Sequence, residues 1–277
     1  MWTTPAYRVV GACAILAACT SSAARAQSTP AQGWVELSLG VPRAADRTLS
    51  MSASSSRPCC GSLATTREFR CDYRLRQGRA IDVGAGFFIT RRVAARFTFT
   101  SVTHRGPATL WVHETNMWGS AGVSGEGSFT PGRDFQRTED SLNVGAVFAI
   151  PLHSRVQATA FAGPTFMRLR QDLMERIYVR YEGDEGTYPY TARPFTLGLS
   201  AVEYGVHQAR SSGWGYHAGG GAVFSLSRVV GLGVSLRYVG ADVELGNDVN
   251  PEYGLGPVLR RVKAGGWHLV GGTQLRF

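Results

Sequence analysis

One pattern occurs eight times along this chain: a stretch of about ten residues in which apolar side chains alternate with polar or small ones. A period of two residues places the two sets on opposite faces of a β-strand. In residues 34–41, Val35, Leu37, Leu39 and Val41 oppose Glu36, Ser38 and Gly40. Residues 80–89 set Ile81, Val83, Ala85 and Phe87 against Asp82, Gly84 and Gly86. In 93–103, Phe97 and Phe99 oppose Arg96, Thr98 and Thr100; in 140–150, Leu142, Val144, Ala146 and Phe148 oppose Ser141, Asn143 and Gly145. The fifth stretch starts at Arg155. The last three, 213–224, 229–241 and 262–277, carry Trp214, Leu236 and Trp267 on one face and His217, Arg237 and His268 on the other.

The connections alternate as well. Turns near 91–92, 151–154 and 225–228 are tight, whereas 42–79, 104–139, 171–212 and 242–261 are long. Tight turns on one rim and long loops on the other suit a barrel that crosses a membrane. A soluble β-sandwich would turn polar residues outward and show less contrast among its connections. With one greasy face and one small or polar face on nearly every strand, the reading is an all-β, closed antiparallel up-and-down transmembrane barrel. Closure is required because an unpaired backbone group in hydrocarbon costs several kcal/mol. Composition agrees: 34 of 277 residues are Gly, and only 18% are charged against roughly 25% in ordinary soluble domains. No stretch after residue 20 has the ~18 apolar residues of a membrane helix.

Two points in the pattern carry alternatives. Arg168 and Arg170 would face lipid unless the fifth strand changes parity at Gly163 and Pro164, where a bulge would repair it. Residues 177–181 and 195–201 also alternate, either as strands five and six extended above the membrane or as an extra pair. The first option gives eight strands and the second ten; eight is preferred, because ten would need a long acidic turn and put Glu175 on the lipid face.

Residues 1–26 read as a signal peptide: Arg8, an apolar run over 9–18, and Ala24-Arg25-Ala26 before the cut. Cys19 ends a lipobox-like Leu16-Ala17-Ala18-Cys19, the alternative processing site. A short segment, 27–33, would precede the barrel domain, 34–277. Export makes a disulfide between Cys71 and either Cys59 or Cys60 plausible.

The C-terminal stretch carries a resemblance. Trp267, Leu269, Leu275 and the terminal Phe277 share one face, and with the strand plan they resemble the small outer-membrane β-barrel superfamily that includes the OmpA transmembrane domain, OmpX and OmpW. The resemblance implies a bacterial outer-membrane location, loops on the extracellular side, and recognition of those four residues by the barrel-assembly machinery. It covers 34–277 as an architecture.

An eight-stranded barrel is just wide enough for side chains to fill. The inward Glu36, Asp82, Arg96, Arg237 and Arg276 are therefore expected to pair in a polar lumenal network. No catalytic constellation, metal pattern or cofactor motif emerges. His153 and Ser154 are neighbours in a turn, His217 and His268 are on separate strands, and Gly219-Gly220-Gly221 precedes no helix. The expectation is a non-enzymatic barrel with a structural or surface-interaction role in its loops, its partners being outer-membrane lipid, lipopolysaccharide and a host or surface ligand. The alternative is a small pore for ions or hydrophobic solutes. Arg67, Arg70, Arg74 and Arg76 in the first loop are candidate lipopolysaccharide contacts, since guanidinium forks suit phosphate. The net charge of +9 does not imply nucleic acid in an exported barrel.

Overall fold

The computed structural model describes residues 33–44, 48–59, 63–118, 121–181, 195–247 and 258–277. Residues 1–26, read above as a signal peptide, and Cys60 lie outside the described residues, as does Cys19. Twelve strands and no helix make up the described chain: β1 (Gly33–Ala44), β2 (Thr48–Cys59), β3 (Leu63–Arg74), β4 (Arg79–Phe88), β5 (Val93–Gly106), β6 (Ala108–Trp118), β7 (Ala121–Phe129), β8 (Phe135–His153), β9 (Val156–Tyr181), β10 (Phe195–Ser225), β11 (Val230–Asn247) and β12 (Val258–Arg276).

Eight of these pair antiparallel in a closed cycle, β1-β4-β5-β8-β9-β10-β11-β12 and back to β1. The first and last barrel strands meet at the seam, where Gly33 and Phe277 exchange backbone hydrogen bonds of 3.1 Å in both directions. The short turns are tied by hydroxyls. Thr90 Oγ1 accepts from the backbone N–H groups of Arg92 and Val93, and Ser227 Oγ from those of Val229 and Val230, a local bond that favours turns over strand continuation. Eight is the strand count, because residues 177–181 continue β9 and 195–201 begin β10.

Around the short-turn half, the outward residues are apolar and exposed, among them Leu39, Ile81, Phe97, Phe99, Val144, Phe148, Val234, Leu236 and Leu269. A partial aromatic band tops them: Phe166 against Trp214 at 5.3 Å, Tyr216 against Tyr238 at 6.0 Å, and Tyr238 against Trp267 at 5.5 Å. An apolar outer belt edged by aromatics is what hydrocarbon and its interface select.

The long connections hold more structure than a loop reading allows. Segments 42–79 and 104–139 contain two hairpins, β2–β3 and β6–β7, joined by an antiparallel β3–β6 pairing. Parallel pairing of Phe195–Gly198 with Val123–Glu126 attaches this second sheet to the start of β10. One face of it, with Leu49, Met51, Phe69, Cys71, Tyr73, Leu110 and Val112, packs into a single apolar core with Met167, Leu169, Leu173, Val243, Leu245 and Val262 of the extended barrel strands. A two-stranded hairpin is marginal alone in water. Burying such a face at roughly 25 cal/mol per Å² explains why these hairpins become ordered together.

This core also corrects the expected parity change. The β9–β10 register runs unshifted through Gly163 and Pro164, and β8–β9 keeps the same register on either side of them. No bulge is present there, and Arg168 does point outward, exposed. The reason is height. Above Phe166 the outer face has left the apolar belt, and the inward partners Met167 and Leu169 meet the second sheet rather than a polar lumen.

The expected disulfide is likewise absent from Cys71, a free buried thiol. Cys71 pairs in register with Met51 near the base of the β2–β3 hairpin, whereas Cys59 pairs with Leu63 at its tip. A disulfide needs Cα atoms within about 7 Å, and the hairpin holds the two ends apart.

Candidate functional site

Two places could carry function, the barrel interior and the outward face of the second sheet. In the interior, alternation along each strand sets the inventory. Arg96 of β5 forms an ion pair with Glu36 of β1, and its guanidinium lies over the Phe161 ring at 4.7 Å. One layer higher, Arg237 of β11 donates to Asp82 of β4 at 2.7 Å and to Thr100 at 2.9 Å, and its Nη2 lies 3.3 Å from His268 Nδ1. Asn143 joins β8 to both neighbours: its amide donates to Thr98 O and Thr100 Oγ1, and its oxygen accepts from Thr165 at 2.8 Å. Thr165 Oγ1 also lies 3.0 Å from His217 Nδ1. Arg276 stands apart from the other charges near the short-turn end, donating to Gln274 and Ser225.

Arg237 and Asp82 are only 2% and 1% exposed. Burying both ions together is tolerable because each neutralises the other, whereas either alone would be strongly destabilising. Cavities of about 60 Å³, beside Glu36, Arg96 and Gln274, and about 30 Å³, beside Phe88 and Arg276, lie below this layer. Spaces of that size hold a few waters. The buried Arg237–Asp82 layer and the apolar core above it occupy the interior over these cavities.

A third ion pair sits higher and was not among the expected residues. Arg137 and Glu139 of β8 are 2.6 Å apart; Arg137 also donates to Lys263 O, and Glu139 accepts from Gly265 N at 2.9 Å. Gly265 has φ 95°, and a Cβ there would run into Val239 O. The left-handed conformation is therefore a glycine's, and its N–H is bonded to Glu139. The signal for this pair was present: Phe135, Arg137, Glu139 and Ser141 continue the inward alternation of β8 into what reads as loop.

The outward face of the second sheet is polar and organised in rows across its strands. Ser52, Arg70, Trp111 and Ser128 are register partners in turn, as are Ser54, Glu68, His113 and Glu126. Together they line an open groove of about 730 Å³ in which Trp111 is 51% exposed. Arg70 is bonded to Asp72 at 3.1 Å on this face. Arg67 lies in β3 between Ser55 and Glu114, while Arg74 and Arg76 lie at the base of the hairpin, their N–H groups bonded to Pro107 O and Arg105 O. The four candidate arginines therefore do not form one cluster. On the buried face, desolvation pushes the Cys71 thiol up to about 12 and the Tyr73 phenol well above its ordinary range, so neither is a nucleophile at neutral pH.

Trp267, Leu269 and Phe277 are exposed on the outer face of β12, with Leu275 partly covered between them. Ser154 Oγ lies 3.2 Å from His153 Nδ1, closer than their adjacency in sequence suggested. Among the described residues this exposed pair has no carboxylate to orient it, and no group of three metal-ligating side chains occurs.

No protein-family model and no curated sequence matches the chain. Solved structures with a similar chain course include the outer-membrane protein OprG from Pseudomonas aeruginosa, 10% identical, covering 91% of this chain and 98% of its own, with a TM-score of 0.46. Neisserial surface protein A is 14% identical over 88% and 97%, with a TM-score of 0.37. The attachment invasion locus protein Ail of Yersinia pestis, in complex with the heparin analogue sucrose octasulfate, is 12% identical over 89% and 99%, with a TM-score of 0.36. The class of this protein follows from its own closed strand cycle, apolar outer belt and polar interior: it is a small β-barrel of the outer-membrane type.

Proposed function

We propose that this is a non-conducting surface protein of the bacterial outer membrane, exported by its N-terminal segment and assembled through the β12 face of Trp267, Leu269, Leu275 and Phe277. Its long-loop rim faces outward, and its recognition surface is the rowed polar face of the second sheet. The reading rests on the buried Arg237–Asp82 layer inside the barrel together with the groove around Trp111 outside it. Trp111 supplies a flat stacking surface, and Arg70, Glu68, His113 and Glu126 supply donors and acceptors around it. That chemistry suits a polar surface ligand, whether a host glycan or a protein loop. No step of bond-making is assigned to it. Of the first-loop arginines, Arg74 and Arg76, low on the hairpin, are the ones we assign to lipopolysaccharide.

The test pairs binding with conductance. Cells displaying the barrel are offered immobilised host matrix proteins and a glycan panel, beside cells displaying R70A/W111A. The wild type is expected to bind and the double variant to lose most of that binding, with both retaining heat-modifiable migration. In planar bilayers the purified barrel should be silent. Equal binding by both would overturn the recognition surface, and stepwise conductance would overturn the closed lumen.

A further inference from the structure

The outer face of β9 and β10 carries a cationic cluster directly above the aromatic band. Phe166 and Trp214 are register partners, and Trp214 is 73% exposed. One outward step higher, about 7 Å along the strand, Arg168 faces Ser212. One step beyond that, Arg170 faces Arg210 directly. Like charges opposite one another in a ladder repel. Asp140 is the nearby carboxylate: it accepts from Arg170 at 2.5 Å and from Ser101 at 2.7 Å, and is the register partner of Arg168. Asp172, the next outward residue on β9, is occupied by Gln136 N at 3.1 Å and by Arg133 at 4.0 Å. Arg210 bonds only the neutral Gln208, at 3.3 Å. Among the described residues neither Arg168 nor Arg210 has a carboxylate in ion-pair contact.

The neighbouring strands are built differently. On β11 and β12 the outward cations face acids across the ladder, Lys263 opposite Asp242 and Arg261 opposite Glu244. Charge there is balanced within the sheet, whereas the outward face of β9 and β10 carries an excess of cations.

We propose that Arg168, Arg170 and Arg210 form a binding site for the phosphate of a membrane lipid headgroup, with the lipid's acyl chains lying down the Phe166–Trp214 face. The position selects the ligand. Exposed aromatics mark the boundary between hydrocarbon and headgroups, so guanidinium groups one or two steps above it stand at headgroup depth. Phosphate oxygens accept two parallel N–H bonds from a guanidinium and would relieve the Arg170–Arg210 repulsion. This site is separate from the first-loop arginines and stands whether or not the sheet binds a ligand. It rests on the membrane reading of the outer belt.

The test reconstitutes the whole barrel in nanodiscs of phosphatidylcholine alone, with added phosphatidic acid, or with added diphosphoryl lipid A. Retained lipid is then counted by native mass spectrometry after gentle release. Wild type should keep one or more phosphate-bearing lipids in preference to phosphatidylcholine. R168Q/R210Q should retain about tenfold less, the scale of losing one or two charge-assisted bonds. R261Q, which removes one such charge from the balanced β12 position and is the control for each single variant R168Q and R210Q, should behave as wild type. Retention of lipid A alone assigns the site to an outer-leaflet glycolipid, and retention of both assigns it to headgroup phosphate generally; either supports the proposal. Undiminished retention by R168Q/R210Q, equal loss in R261Q, or equal retention of phosphatidylcholine overturns it. Heat-modifiable migration confirms folding of each variant, and the single variants R168Q and R210Q serve if the double variant does not fold.

Discussion

The lower and upper halves of β11 have the same backbone geometry and opposite chemistry. From Gly231 to Arg237 the inward side chains are glycine, serine and arginine, and the outward ones are Leu232, Val234, Leu236 and Tyr238. From Val239 to Leu245 the inward set becomes valine, alanine, valine and leucine, and the outward set takes Asp242 and Glu244. The lower half is a membrane strand and the upper half a strand of a water-soluble core. Strand geometry is indifferent to this inversion. What changes is the medium on each side: hydrocarbon outside and ion pairs inside below, water outside and the apolar face of the second sheet inside above. β9 repeats the change between Phe166 and Leu169, which is why an arginine can face outward there without a bulge.

The comparison predicts different failures in the two halves. The largest effect is expected in the lower lumen. Asp82→Ala leaves Arg237 buried without its carboxylate and should destabilise the barrel by about 3–5 kcal/mol, measured as urea unfolding of lipid-reconstituted protein. D82A/R237L should recover much of that loss, and no recovery would mean that the pair is not an isolated unit. In the upper half, Leu110→Ala opens a cavity in the shared core and should cost about 2–5 kcal/mol. Its signature is local: faster amide exchange across β2, β3, β6 and β7 with the lower barrel still resistant to SDS. Global unfolding in step with the sheet would show that the halves are one cooperative unit.

The outer faces give a sharper contrast. Leu236→Arg places a charge in the apolar belt and should cost about 2–4 kcal/mol, whereas Glu244→Arg, four residues further up the same strand face, should change stability by only about 0.5 kcal/mol. Equal effects would break the division between belt and collar. The smallest effect concerns Cys71. With its thiol held at about 12 by burial, the neutral form persists from acid through pH 9. Maleimide should therefore label it only after the second sheet is unfolded, and labelling of native protein at pH 8 would place Cys71 at a surface.

The eight membrane strands were legible because lipid on one side and a narrow polar lumen on the other impose a two-residue period over the full length of each. Glu36, Arg96, Asp82 and Arg237 could be placed inward for the same reason. Their partnerships were less legible: Asp82 and Arg237 are 155 positions apart, on strands that meet only across the barrel axis. The second sheet was hidden differently. Leu49 and Met51 alternate with Ser50 and Ser52, and Phe69, Cys71 and Tyr73 with Arg70 and Asp72, yet nothing local says which strand each hairpin will pair with or which surface it will cover.

Sequence by itself determined where the eight alternating stretches lie, most of their inward and outward residues, and the tight turns, since each of these is local chemistry repeated at short range. Eight strands rather than ten, and the unbroken parity of β9, were decided by the structure. Only the tertiary structure decided that β3 pairs β6, that β7 joins β10 in parallel, and that the hairpins share one core with the barrel strands. Those choices depend on apolar faces far apart along the chain meeting where neither lipid nor water can cover them.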